Sequence, residues 1–307
     1  MDRPPLKPEL LRELHRARGA HWPRLAVFIL IYVAAGGGAY WLVSAHAKSW
    51  AIYLACLPLY ILAAAALHGI SLFTHEAVHG TLCRNPKCNR ALGAVCAWPV
   101  LQNFAAYRVL HLRHHDHLGL PGDPDHYDNY THWGWLLFLM NWGRLIIGYP
   151  AYIVAIPILA FRQGRGWERF WILFELVSVV LLVVLVLRSP IPRGLLIQAW
   201  LIPMVFINTL VNIRGMSQHT FLEHQSDTIL GTRSILTNKL TAFFMCNENY
   251  HLEHHLYPGV PWYNLPRLHR AMKDDLAARG APYIGSYFAF VRLFIAGSIL
   301  RSPAGRR

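Results

Sequence analysis

Eighteen histidines stand in this chain, and eight of them fall into three compact clusters. The first is His75 and His79, spaced H-x3-H. The second is His111, His114 and His115. The third is His251, His254 and His255, with the same H-x2-H-H spacing as the second. On a helix, residues three and four apart share a face, so each cluster presents its imidazoles in one direction. Neutral imidazole is the commonest protein metal ligand. One such pair is an ordinary coincidence of surface or core. Three clusters, two of them identically spaced, point to metal, because unpaired buried imidazoles at this density would be costly.

Eight or more nitrogens exceed the four-coordinate shell of one zinc ion and suit two metals that keep open positions. No thiolate stands in the clusters, and the two-histidine, one-carboxylate arrangement is absent. Nitrogen-rich ligation is compatible with zinc, copper, iron or nickel. The ligand count and the lipid setting described next favour a pair of irons with O2 as co-substrate. Side chains beside the clusters can orient an imidazole through its other ring nitrogen; Glu76, Asp116, Asp125, Asn247 and Glu253 are the candidates, with His117 comparable. His68 lies seven residues before His75, near the same helical face and inside an apolar run, where an ionisable group is a functional hint. A satisfied core histidine is its plainer reading. His15, His21, His46, His126, His132 and His269 read as ordinary interfacial or surface residues.

The elements that must carry these clusters are apolar. Of 307 residues, 54% are hydrophobic and only 15% charged, too few for the charged shell of a soluble fold of this size, and mean hydropathy is +0.28. Residues 25–45 and 50–73 are each long enough to cross a bilayer and are separated by a short link containing Lys48, so they read as a hairpin. Residues 171–187 and 195–213 read as a second, joined by a turn with Pro190 and Pro192. Residues 135–160 are also long enough, but they contain Asn141, Arg144, Pro150 and Pro157, and Arg162, Arg165 and Arg169 follow. They are expected to form an in-plane or re-entrant hairpin. Residues 91–107, with Pro99, Gln102 and Asn103, read as one interfacial or buried helix.

The net charge of +13 collects at the two ends and between apolar stretches. That distribution follows the positive-inside rule and disfavours nucleic-acid binding. Six basic residues before the first span place the N-terminus in the cytosol. The expected architecture is an all-α integral membrane fold: four transmembrane helices in two hairpins, plus a cytosolic helical cap carrying the histidine clusters. Its parts would be a basic cytosolic N-terminus (1–24), a membrane domain (25–270) and a cytosolic C-terminal tail (271–307). With four crossings, every cluster falls on one face. A histidine-rich transporter or receptor is the non-enzyme alternative, but transporters place ligands within the spans. The five cysteines, Cys56, Cys83, Cys88, Cys96 and Cys246, are odd in number and lack C-x2-C spacing; they read as free thiols, with Cys83 and Cys88 able to meet. No cleavable signal peptide and no Gly-rich nucleotide motif is evident.

The order H-x3-H, H-x2-H-H, H-x2-H-H resembles the membrane-bound fatty acid desaturase and hydroxylase superfamily. The likeness is closest over His75 to Gly80 and over Asn247-Glu-Asn-Tyr-His-Leu-Glu-His-His-Leu-Tyr-Pro258 through Pro261 and Trp262; Asp123-Pro-Asp125 after the second cluster is also similar. The resemblance covers residues 25 to 270. It implies a di-iron site that uses O2 to remove hydrogens from a lipid methylene. It also implies a ninth ligand, for which His219 in Arg214-Gly-Met-Ser-Gln-His219 is the candidate and His224 its competitor. No segment resembles a haem-binding cytochrome, so the resemblance implies a separate ferredoxin-, rubredoxin- or cytochrome-like electron donor. Fatty-acyl desaturation is the first expectation. Carotenoid ketolation or hydroxylation, or another lipid hydroxylation, is the alternative.

Overall fold

The computed structural model describes residues 4–16, 19–46, 49–126, 130–222 and 226–300, the side chains of 298–300 excepted. The fold is helical, with α1 (Pro8–Leu14), α2 (His21–Ala45), α3 (Ala51–Ala55), α4 (Leu57–Val78), α5 (Pro86–Ala97) and α6 (Phe104–His117) forming its first half. The second half comprises α7 (Gly134–Gln163), α8 (Gly166–Arg188), α9 (Arg193–Leu196), α10 (Ile202–His219), α11 (Lys239–Phe244), α12 (His251–Leu256), α13 (Leu265–Ala278) and α14 (Tyr287–Leu300). A π turn over Ile197–Leu201 joins α9 to α10 as one rod. Two short parallel strands, β1 (Ser234–Ile235) and β2 (Tyr283–Ile284), pair Ser234 with Tyr283 and Ile235 with Ile284.

Among the described residues, five helices are long and apolar enough to cross a membrane: α2, α4, α7, α8 and the α9–α10 rod. That is one more than the four expected. The addition is α7, which is a single 30-residue helix and not a hairpin. Its physical reason is visible at Pro150, which should break the helix. The Asn208 side chain of α10 enters the ladder there. Its Oδ1 accepts from Tyr149 N–H at 2.7 Å, and its amide donates to the Leu145 carbonyl at 2.5 Å. One amide thus bonds both the N–H and the carbonyl of a backbone pair in the turn just before the proline. The other polar groups are also held: Asn141 donates to the Leu137 carbonyl, and Arg144 to Asn212. Residues 91–107, expected as one helix, are two, because Leu101 takes a left-handed conformation (φ 58°) between α5 and α6.

α4 is the central element and the most buried of the five apolar helices. Glycines let its neighbours approach: a Cβ on Gly69 would sit 2.5 Å from the Phe28 ring of α2, and one on Gly93 of α5 would sit 2.5 Å from Ala77. The same device brings Gly36 of α2 against Ala199. The core about Phe28, Leu67, Phe73 and Phe104 results. The exposed sides of α2, α7 and α8 are lined with Leu, Val, Ile and Trp, as lipid-facing surfaces are.

A second, smaller core lies around α12 and α13, where Leu252, Leu256, Leu268 and Met272 pack against Leu14 of α1. Asn264 donates to the Leu14 carbonyl and Tyr257 to that of Pro4. The five cysteines are free.

Candidate metal centre

Four segments deliver the histidines: the C-terminal end of α4, the last two turns of α6, the last residue of α10, and α12. Two of them are visibly anchored at their starts. Asn103 caps α6 by accepting from Ala106 N–H, and Glu175 of α8 accepts from Ala105 N–H at 2.7 Å. These bonds satisfy donors that a helix start leaves open. α12 is only six residues long, too short to hold itself. Ser234 of β1 anchors it, accepting from Leu252 N–H at 3.0 Å and donating to Glu253 at 2.5 Å. Left-handed residues Cys246 (φ 46°) and Asn247 (φ 53°) turn the chain from α11 into α12.

The three sequence clusters converge. Nitrogens of His75, His79, His111 and His254 lie within 4.8 Å of one another, and so do those of His114, His219 and His255. His115 stands between the sets, its Nε2 3.1 Å from that of His111 and 3.3 Å from that of His254. His251 joins the second set, its Nε2 3.0 Å from His255 and 3.2 Å from His219. His219 is therefore brought to the cluster with the eight others. His224 lies outside the described residues.

The arrangement fits metal better than it fits a hydrogen-bond network. His114 Nδ1–H donates to Asp123 at 2.8 Å, and His219 Nδ1–H donates to the Gly231 carbonyl at 3.0 Å. With the proton on Nδ1, each Nε2 is a bare lone pair facing other imidazole nitrogens, an arrangement that a cation stabilises. His75 Nε2 and His251 Nδ1 are buried without a hydrogen-bond partner, and the carboxylate of Glu248 is the charge nearest to both. Burial, with repulsion from neighbouring imidazoles, holds His111, His115, His251, His254 and His255 well below the ordinary histidine value. Burial and the charge of Arg108 bring His79 to about 3. These rings are neutral and their lone pairs available. His114 is the exception: burial lowers it, but the charge of Asp125 and the bond and charge of Asp123 outweigh this and raise it.

The orienting residues differ from those expected. Asp123 is the buried partner of His114, while Asp125 is 64% exposed at its side chain and 3.7 Å from the same nitrogen. Glu248 was not among the candidates. It is buried, ion-paired with Arg214, and lies 3.7 Å from His75 Nε2 and 3.8 Å from His251 Nδ1. Both residues stand inside the motif stretches, so the stretches carried the signal and only burial could choose among their acids. Asp116 is exposed and takes no part in the described imidazole bonds, because it lies on the outer face of α6. Asn247 donates to the Trp262 carbonyl as a turn residue.

Glu253 points away from the metal side: it accepts from His269 Nδ1–H at 2.6 Å, Ser234 and Tyr283. Glu76 likewise accepts from Thr81 at 2.6 Å and from Trp262 N–H. His68 is buried, but its Nε2 has no hydrogen-bond partner and it belongs to neither set. His117 bonds the Arg113 carbonyl within its own helix. Two histidines read as surface residues are not: His269 holds Glu253, and His21 is buried, accepting from Trp262 Nε1–H at 3.1 Å and reaching the Thr81 carbonyl.

The sequence matches the family model for the fatty acid desaturases over residues 48–287, a stretch that contains all nine histidines. The chain belongs to the fatty acid desaturase family. Its similarity extends to a dihydrorhizobitoxine desaturase of Bradyrhizobium elkanii, 28% identical over 84% of this chain and 75% of that protein. A beta-carotene ketolase of Paracoccus sp. (strain PC1) is 27% identical over 74% of this chain and 86% of the ketolase. An sn-1 oleoyl-lipid 12-desaturase of Picosynechococcus sp. is 24% identical over 80% of this chain and 76% of that protein. This desaturase-family chain is thus an oxidoreductase whose relatives include both lipid desaturases and carotenoid ketolases. Its long apolar helices suit a multi-pass membrane protein.

Proposed function

We propose that this chain is a membrane di-iron lipid desaturase, using O2 and electrons from a separate donor protein to introduce a C=C bond into an acyl chain. The observation that carries the reading is the convergence of nine imidazoles, six buried and three half-buried, at the ends of apolar helices and in α12. His75, His79, His111 and His254, with His115, would hold one iron. His114, His219 and His255, with His251, would hold the other. Two irons there supply the chemistry that activates O2 against an unactivated C–H bond.

The protein's own part is positioning. Asp123 and the Gly231 carbonyl keep protons on the outer nitrogens of His114 and His219, so that Nε2 faces inward. Glu248 sets negative charge beside both sets while Arg214 compensates it. The apolar helices exclude water from the reacting carbon. The basic surface favours an acidic donor of the ferredoxin, rubredoxin or cytochrome kind by electrostatic steering.

The same geometry bears on topology. His75 at the end of α4 and His219 at the end of α10 meet one centre, which requires an even number of crossings between them. We assign the non-crossing helix as α7. Its contacts from Asn141 to Ala160 are with α6, the second half of α10 and the first turns of α8, near the histidine end. The reading is four crossings, with α7 along the cytosolic side and both termini cytosolic.

Ketolation of a carotenoid is the second reading, favoured by the Paracoccus relative. The test is lipid and pigment profiling of cells expressing this chain beside a His111→Ala variant, with iron measured in both purified proteins. An unsaturated acyl species absent from the variant supports desaturation. A shifted carotenoid with unchanged acyl chains supports the second reading, and no iron in the wild-type protein defeats both.

A further inference from the structure

Beside the histidine sets, a separate pocket of about 300 Å³ opens between the end of α4, the start of α5 and the first turns of α6. Three guanidinium groups line it: Arg84, Arg90 and Arg108. The ion pairs that Arg214, Arg267 and Arg279 make lie elsewhere. Two acids of α8, Glu168 and Glu175, act on Arg90 through their fields, while Arg108 repels it. Glu175 is in turn held by the Ala105 N–H. Asn89 is committed to Cys83 N–H and the Ala77 carbonyl. The pocket is therefore a concave site of positive potential whose charges favour an anion.

Two further observations narrow the anion. Arg90 lies over the Trp171 ring at 4.7 Å, and Trp171 packs against Trp167 and Phe170, both exposed at the start of apolar α8. An aromatic cluster at the mouth of an apolar helix marks the headgroup depth of a bilayer. The guanidinium fork matches phosphate oxygens two at a time. The pocket also adjoins the metal side: Val78 and Gly80, which flank His79, line it, and Arg108 acts on His79 itself.

We propose that Arg84, Arg90 and Arg108 bind the phosphate of a glycerophospholipid, so that the substrate is an acyl chain on an intact phospholipid. This rests on the desaturase reading and deepens it, because a carotenoid has no anion to place there. The purified, iron-loaded full chain in neutral detergent is titrated with dihexanoylphosphatidylglycerol, dihexanoylglycerol and inorganic phosphate, and binding is followed calorimetrically.

The phospholipid is expected to bind, and the Arg90→Gln/Arg108→Gln variant to bind it tenfold or more weakly. Equal iron content and equal melting temperature in the variant show that its fold is intact. Arg169→Gln, outside the pocket, should bind as the wild type does. The proposal is overturned if dihexanoylglycerol binds equally well, if the double variant binds as the wild type does, or if inorganic phosphate alone binds as tightly as the lipid. Any of these results, with iron and O2 turnover intact, removes the phospholipid site and leaves the oxygenase reading standing.

Discussion

Replacing Asp123 by Asn should empty one metal position and spare the other. Asp123 is buried and accepts hydrogen bonds from His114 Nδ1–H at 2.8 Å and Gly119 N–H at 2.8 Å, one to each oxygen, and from Asp125 N–H at 2.9 Å. Asparagine keeps the shape and loses one acceptor. With its oxygen toward His114, its NH2 confronts the Gly119 N–H. With the amide reversed, NH2 faces His114 Nδ1 and drives the imidazole proton onto Nε2, the nitrogen that faces the metal. Losing a charge-assisted hydrogen bond costs about 1.5–3 kcal/mol, and a factor of ten in affinity is about 1.4 kcal/mol. The expected loss is therefore about 10- to 100-fold at the set formed by His114, His219 and His255. Chelator competition on purified protein, with iron counted per chain, reads it directly. The variant should release one iron at chelator concentrations that the wild type resists and hold the other unchanged. Retention of both irons at wild-type affinity, or simultaneous loss of both, would refute the division into two sets.

Other outcomes follow from the same geometry. Metal-free protein should lose stability as pH falls through the ordinary histidine value of about 6.5, since His111, His251, His254 and His255 titrate well below it when folded. In that window the unfolded chain binds more protons than the folded one, so stability rises with pH; thermal melts in chelator between pH 7.5 and 5.5 test the sign. Glu253→Gln removes the buried charge that holds His269, Ser234 and Tyr283 and should cost about 2 kcal/mol, read as a melting temperature lowered by several degrees; an unchanged melt would show that α12 is anchored otherwise. Gly93→Val puts carbon 2.5 Å from Ala77, and overpacking of this kind costs about 1–3 kcal/mol, so stability and iron content should fall together. Single cysteines at Trp133 and Gly164 should label from the same membrane face, and one at Ile191 from the opposite face; labelling of the first two from different faces would make α7 a crossing helix.

Much of this protein is legible without coordinates because its strongest signals are local. Spacing puts His111 with His114 and His115, and His251 with His254 and His255, on single helical faces, and sustained apolar runs of bilayer length declare α2, α4, α8 and the α9–α10 rod. The side chain of Asp123 or Asp125 carries no such signal. Both are acids near a histidine, and only the burial of one and the exposure of the other separates them. Glu248 matters through Arg214, and His21 through Trp262, across 34 and 241 residues; no local pattern reports a partner so distant. Local chemistry also misled at α7, where Pro150 reads as a break. Asn208 from another helix bonds the Tyr149 N–H and the Leu145 carbonyl in the turn just before the proline, and those bonds exist only once α7 and α10 have packed.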